Sequence, residues 1–291
     1  MNKIVLEAAA KLNLSLDITG LREDGYHLLD SVMQSISLYD RIALTKREEG
    51  IFLTVDRPNI PNDSKNTAYK AAAAFFLATG IKGGIEIFLE KHIPSRAGMG
   101  GGSADAAAVL VGLNQLYQTG LSGEKLQEIG LKVGADVPFC IVGGTARVRG
   151  IGEVVEPTAP LNMARFVVVK PRGKGVDTKA AYECYDKMGS SKRPDTEGLL
   201  RAIMSGNISS FSQYMYNVLE PSTPLSEIRE IKQNMLDYGA NAAMMTGSGA
   251  AVFGIFGSLI LAMATRGRFA SQYHAYLVEP ISQGVRIILE Q

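Results

Sequence analysis

The stretch 93–111, Ile-Pro-Ser-Arg-Ala-Gly-Met-Gly-Gly-Gly-Ser-Ala-Asp-Ala-Ala-Ala-Val-Leu-Val, constrains this chain more than any other. Pro94 closes an apolar strand, and Gly98, Gly100, Gly101 and Gly102 then make a loop almost without side chains. Ser103 reads as the N-cap of a helix running from Ala104 to Val111. Bare N–H groups at the positive end of a helix form an anion site. Glycine suits such a loop because a Cβ would hold phosphate oxygens off the donors, and because positive φ is needed. The small face Ala104, Ala107, Ala108 lets the helix approach its neighbour closely. The stretch reads as a nucleotide-phosphate cradle; the plain alternative is a glycine turn before an alanine-rich core helix. It is neither of the two commonest phosphate loops. A Walker loop ends in Gly-Lys-Ser/Thr, whereas Gly102 precedes Ser103 and Ala104, and the third glycine of Gly-x-Gly-x-x-Gly would fall on Ser103.

A chain of 291 residues is long enough for about two domains. Its formal net charge of +1, without a Lys/Arg cluster, argues against nucleic acid or an anionic membrane as partner. Cys140 and Cys184 are isolated, give neither metal-ligand spacing nor a disulfide framework, and read as buried free thiols in a reducing cytosol. Glu7 and Lys11 interrupt the N-terminal apolar stretch, so no signal peptide is expected. The longest apolar run, Ala250 to Ala264, is broken by Gly257-Ser258 and too short to span a membrane. A cytoplasmic protein is expected.

Residues 3–18 alternate as a strand: Leu12, Leu14 and Leu16 on one face, Lys11, Asn13, Ser15 and Asp17 on the other. A polar face of this kind is ordinarily solvated, unless a ligand sits above it. A polar turn at Gly20–Gly25 leads to Tyr26-His27, and strands follow at 31–44 and 51–55. Thr67–Thr79 is alanine-rich and helical, ended by Gly80, and Ile85–Leu89 is a strand. Ser122 caps a second helix to about Val133, and Gly134–Pro138 is a tight turn into Phe139–Val142, with a strand near 146–149. The two prolines of 156–162 mark the domain boundary, giving domains at 1–157 and 158–291. The second half reads as a strand at 166–169, helices near 178–188, 196–204 and 226–238, and strands at 242–245 and 251–256 around Thr246-Gly247-Ser248-Gly249. A helix near 259–271 and strands near 275–279 and 285–289 finish it. Strands cluster before helices, which fits an α+β class better than a doubly wound sheet.

Three blocks in order, Ala10-Lys11-Leu12-Asn13-Leu14, the 93–108 stretch and Met245-Thr246-Gly247-Ser248-Gly249-Ala250, resemble the GHMP kinases. Asp24-Gly25-Tyr26-His27 and Gly134-Ala135-Asp136-Val137-Pro138-Phe139-Cys140 bring the chain closest to the branch whose acceptor is 4-diphosphocytidyl-2-C-methyl-D-erythritol. The resemblance implies a two-domain α+β fold, with an N-terminal half like domain 2 of ribosomal protein S5 and a C-terminal α/β sandwich. It implies transfer of phosphate from ATP, with Mg²⁺, to the acceptor's 2-hydroxyl, on a route to isoprenoid precursors.

Carried onto this sequence, the resemblance implies Asp136 as base, paired with Lys11 beside the transferring phosphoryl group. Read alone, Asp136 is equally a turn-stabilising residue and Lys11 an exposed strand lysine. Asn66, Lys91 and Pro94 would lie on the nucleotide side, and Gly98, Gly100, Gly101, Gly102 and Ser103 would wrap its phosphates. Asn13, Tyr26, His27 and Tyr182 would hold the acceptor, the aromatics at its base, with Thr246, Gly247, Ser248 and Gly249 supporting loop and phosphates from the second domain. No protein ligand for the metal follows from the sequence. Two positions depart from the family: Ala104 stands where a serine is usual, removing a hydroxyl near the phosphates, and Met99 replaces a leucine. Two other readings remain, a GHMP kinase with another alcohol acceptor and a non-catalytic nucleotide-binding relative. A small-molecule acceptor is the expected partner, for a monomer or homodimer.

Overall fold

One long strand organises the molecule. In the computed structural model, which describes residues 2–162 and 164–291, β1 (Lys3–Leu21) pairs along nearly its whole length with β2 (His27–Arg47), antiparallel. β3 (Gly50–Val55), α1 (Thr67–Thr79) and β4 (Gly84–Glu90) follow, β3 lying parallel to β4 with α1 in the crossover. Then come α2 (Gly101–Tyr117), α3 (Gly123–Leu131), α4 (Val137–Val142), β5 (Thr145–Gly150) and β6 (Val154–Pro157). Because β2 is 21 residues long, one edge serves two partners. Arg41–Arg47 pair with β4, and Leu29–Gln34 pair with β5.

The second sheet is built from β7 (Arg165–Pro171), with α5 (Thr178–Met188), α6 (Thr196–Ser205), α7 (Phe211–Tyr214), α8 (Ser226–Asp237), β8 (Ala242–Met245), β9 (Val252–Phe256), α9 (Leu259–Phe269) and β10 (Tyr273–Val278) around it. Its strand order is β10-β7-β9-β8. The last strand, β11 (Val285–Glu290), returns to the first sheet beside β1, giving β11-β1-β2-β4-β3 with β5 and β6 attached to β2.

Local rules account for most of these ends. Asn66 accepts the Ala68 N–H and so caps α1, and Gly80, at φ 68°, ends it. Ser122 caps α3 from the Lys125 N–H. Ser103 is not a cap. α2 begins earlier, at Gly101, behind a Gly100 in the left-handed region (φ 71°), because Gly100 supplies the turn that a serine cap would have made. The turn expected at Gly134–Pro138 is cut short: Val137 and Pro138 already belong, with Phe139–Val142, to the short helix α4, which tolerates Pro138 in its first turn, where no N–H partner is lost.

The alternation of β1 is real, but its polar face is not solvated. Lys11 is 4% exposed, and Asn13 and Ser15 are fully buried. The reason lies far along the chain: the turn after β8 packs over this face, and the Asn13 N–H donates to Thr246 Oγ1 at 3.0 Å. Irregular pairing on either side, between Ala9 and Ala10 and between Asn13 and Ser15, re-aims this segment. Leu12 and Leu14 join the first core with α2, whereas Leu16 and Ile18 pass into the second, under β7 and β9. Phe75, Phe139, Phe166, Phe211 and Phe253 are fully buried in the first core, each stabilising the fold by about 1.5–3 kcal/mol.

Candidate active site

Three segments distant in sequence interlock at the middle of β1. The Lys11 N–H donates to Met99 O at 3.0 Å, fastening the glycine loop to the strand. The Ala250 and Ala251 N–H groups donate to Arg96 O and Ala97 O, both at 3.2 Å, fastening the same loop to the second sheet. Gly98, at φ 72°, has no room for a side chain, since a Cβ would lie 2.0 Å from Thr246 O. Thr246 Oγ1 accepts from Asn13 and faces Gly98 O and Asn13 Oδ1 at 3.3 and 3.4 Å. The first bond inside α2 runs from Ala104 N–H to Gly100 O. The N–H groups of Gly101, Gly102 and Ser103 therefore have no partner within the helix. No acidic side chain occupies that first turn to compete for them.

The loop opens onto a cleft of about 940 Å³ between the two sheets. Every candidate residue lines it except Thr246, which is buried directly behind. A smaller cavity, of about 590 Å³ beside Gln34, Thr145 and Pro280, contains none of them.

At the cleft floor Lys11 Nζ lies 3.3 Å from Asp136 Oδ2 and donates to Asn13 Oδ1 at 2.6 Å. Asp136 occupies the N-cap position of α4, yet its side chain makes no bond to that helix. Its carboxylate is spared from turn stabilisation and is about one-third exposed to the cleft. Both ends of the Asn13 amide are engaged: Oδ1 accepts from Lys11, and Nδ2 donates one of its two protons to Ser31 Oγ at 2.9 Å. Asn13 thus orients the lysine, a duty the sequence does not reveal.

Two nucleotide-side candidates behave similarly. The Asn66 amide is used by α1 and by Pro61 O. The Lys91 ammonium turns inward, because a lysine 6% exposed needs counter-charges, and it lies between the carboxylates of Asp40 and Asp105. Asp40 also accepts the His92 and Ile93 N–H groups at 2.6 and 2.8 Å, bracing the chain as it enters the loop. Asp105 Oδ1 is buried without a hydrogen-bond partner, and burial, aided by the charge of Asp40, pushes this carboxyl up to about 7 against the pull of Lys91. Asp40 and Asp105 escape sequence reasoning; a lone aspartate inside an alanine run is the only signal.

The opposite wall carries the aromatics. The His27 and Tyr182 rings lie 4.7 Å apart and tilted by 31°, and His27 Nε2 meets Asp186 Oδ1 at 2.7 Å. Tyr182 and Asp186 share one face of α5 at i,i+4 spacing, which makes Asp186 findable once Tyr182 is suspected. Burial, with the Asp136 charge nearby, pushes the Tyr182 phenol above its ordinary range. Tyr26 is 58% exposed at the rim. Ser248 Oγ and Thr178 Oγ1 lie 3.1 Å apart, joining the glycine turn to α5. Asn217, fully buried, donates to Met245 O and Gly247 O, both at 2.8 Å, and so fixes the same turn. Among the described residues no cluster of three or more His, Cys, Asp or Glu side chains could cage a metal, and no helix is long and apolar enough to cross a membrane. Cys140 is buried and Cys184 half-buried, both as free thiols.

A helix N-terminus stripped of side chains, set against a lysine–aspartate pair in a cleft between two sheets, is built for phosphoryl transfer. Known families agree: residues 66–144 match the GHMP kinases N terminal domain and residues 199–273 the GHMP kinases C terminal domain. The chain belongs to the GHMP kinases, ATP-dependent phosphotransferases with this two-domain fold. Within the family it is similar to 4-diphosphocytidyl-2-C-methyl-D-erythritol kinases. It is 46% identical to that of Clostridium tetani over 253 residues, covering 86% of this chain and 90% of the relative. It is 45% identical to that of Alkaliphilus oremlandii, covering 99% and 100%. A crystal structure of 4-(cytidine 5'-diphospho)-2C-methyl-D-erythritol kinase, 32% identical, superposes with a TM-score of 0.79 over 94% of this chain and 98% of that one. The homoserine kinase of Cytophaga hutchinsonii, 21% identical with a TM-score of 0.81 over 99% and 98%, shares the fold.

Proposed function

We propose that this protein phosphorylates the 2-hydroxyl of 4-diphosphocytidyl-2-C-methyl-D-erythritol from ATP. The observation that carries this reading is the Asp136 carboxylate, free of its own helix and held 3.3 Å from a buried lysine at the floor of the cleft. Asp136 takes the proton of the attacking hydroxyl, and Lys11, oriented by Asn13, stabilises charge on the transferring phosphoryl oxygens. The donor phosphates occupy the N–H groups of Gly101, Gly102 and Ser103, with Asn66, Pro94 and the Lys91 segment lining the nucleotide side. The cytosine ring stacks at His27 and Tyr182, with Tyr26 at the rim and Asp186 fixing the histidine tautomer.

Mg²⁺ neutralises the phosphates when it enters with ATP. The Ser103 hydroxyl, in the first turn of α2, would be the group this chain offers it. Ala104 leaves the N–H cradle and the Lys11–Asp136 pair in place, which favours activity over a purely nucleotide-binding role. The reading carries a cytoplasmic location and a domain division near residues 157 and 158, with β11 lent back to the first half.

The test is an acceptor panel with Mg-ATP, comparing the cytidine-bearing acceptor with homoserine, mevalonate and galactose. Phosphorylation of the first at kcat/KM at least about 100-fold above the others is expected. A preference for one of the others would replace the acceptor, and ATP bound without turnover of any would reject the kinase assignment.

A further inference from the structure

Four basic side chains line the cleft: Lys11, Lys65, Lys91 and Arg96. Lys11 is engaged by Asp136 and Asn13, and Lys91 by Asp40 and Asp105. The Lys65 ammonium also makes no ion pair or hydrogen bond among the described residues, but it adjoins Asn66 and Thr67 on the nucleotide wall. Arg96 is different. Its side chain makes no ion pair and no hydrogen bond among the described residues, and it stands exposed at the seam where the glycine loop meets the second sheet.

Its backbone is unusual as well. At φ 51° it is one of two non-glycine residues in the left-handed region among those described, in a loop otherwise supplied with glycine wherever positive φ is needed. An arginine there brings charge at a conformational cost that glycine would not incur. The position is held by the Ala250 N–H, which donates to Arg96 O. The aliphatic stem lies over Gly175, where an added Cβ would come within 2.5 Å of Arg96 Cβ and 3.3 Å of its Cδ. Gly175 leads through Val176 and Asp177 into α5, the helix that carries Tyr182 and Asp186. Arg96 is therefore directed toward the acceptor wall.

Resting on the acceptor reading above, we propose that Arg96 determines specificity by clamping the diphosphate bridge of the acceptor. The donor's phosphates have the N–H cradle of α2, whereas the acceptor's two phosphates, between a base at His27/Tyr182 and a hydroxyl at Asp136, meet no other unpaired Lys or Arg among the described residues that line the cleft on that side. A guanidinium supplies two parallel N–H donors matched to such oxygens.

Calorimetric titration of the full-length protein with cytidine, CMP and CDP tests this without turnover. The unaltered protein is expected to bind CDP at least 10-fold more tightly than cytidine. Arg96→Ala should weaken CDP by about 10- to 100-fold and leave cytidine within 2-fold. Arg96→Lys should recover part of the loss, since it restores charge but not the fork. Arg96→Gly, which relieves the backbone cost, should behave as alanine does and guards against a folding defect. In steady state the acceptor KM should rise in the same proportion, with kcat and the ATP KM within 3-fold. Unchanged CDP affinity in Arg96→Ala and Arg96→Gly, or a rise in the ATP KM in place of the acceptor KM, would overturn the role given to Arg96. An unaltered protein that binds none of the cytidine compounds would reject the acceptor reading itself, and this proposal with it.

Discussion

Replacing Asp136 by asparagine separates the chemistry from the architecture, because the two carboxylate oxygens become an isosteric amide in the same place. The Lys11–Asp136 attraction at 3.3 Å is about 5 kcal/mol at an effective dielectric of about 20, most of it offset by the desolvation of a lysine 4% exposed. Asp136 is about one-third exposed and Lys11 keeps its bond to Asn13, so the net loss of stability should be only about 1–2 kcal/mol. That corresponds to a melting temperature lower by about 2–8 °C. Turnover should fall by about 10²–10⁴-fold through loss of the proton acceptor. The Kd for ATP should stay within about 3-fold, since the N–H cradle of α2 does not involve Asp136. Single-turnover assays with quantified product, beside ATP titration and thermal melts, read all three. A fall in turnover smaller than about 5-fold would remove Asp136 from the proton-transfer step. A parallel loss of ATP binding would show that it supports the loop and not the reaction.

Other consequences follow from neighbouring contacts. Gly98→Ala places a methyl 2.0 Å from Thr246 O at a positive φ and should destabilise the protein by about 3 kcal/mol or more, read by denaturant unfolding; a loss under about 1 kcal/mol would mean the two segments separate easily. The folded-state value of Asp105 lies above its ordinary one, so the native protein holds this proton while the unfolded chain has lost it between about pH 4 and 7. Its contribution to stability therefore declines as pH rises through that window, and Asp105→Asn should flatten the decline by about 1–2.5 kcal/mol in melts from pH 5 to 8, whereas an unchanged slope would contradict the assignment. Tyr182→Ala should raise the acceptor KM by about 5- to 100-fold through lost stacking, with the ATP KM little changed; equal effects on both substrates would place the ring elsewhere than at the base.

What the sequence discloses is what neighbours in the chain decide. Thr67–Thr79 and Gly80 spell an alanine-rich helix and its stop, and the structure follows them residue for residue. The glycine loop is legible for the same reason, since backbone without side chains has few other uses. Errors arise where a local preference is outvoted. Ser103 loses its cap to Gly100, three residues earlier, and the turn expected at Gly134–Pro138 gives way at Val137 to α4, behind Asp136. Burial of the polar face of β1 is invisible locally because its cover, Thr246, is 233 residues away. The Lys91–Asp40 contact spans 51 residues, and nothing near Asp40 announces a buried lysine. Lys11 and Asp136 are recognisable through the family blocks, but that one faces the other, and that Asn13 serves the lysine, are facts of tertiary packing.

The most direct measurement of the central claim is the position of the transferred phosphate. The protein should be incubated with Mg-ATP and 4-diphosphocytidyl-2-C-methyl-D-erythritol, with ADP release and the phosphorus spectrum of the product followed together. The account predicts one new phosphomonoester on the 2-hydroxyl for each ADP released, with the diphosphate bridge intact. ADP without that ester, or an ester on another hydroxyl, would contradict it.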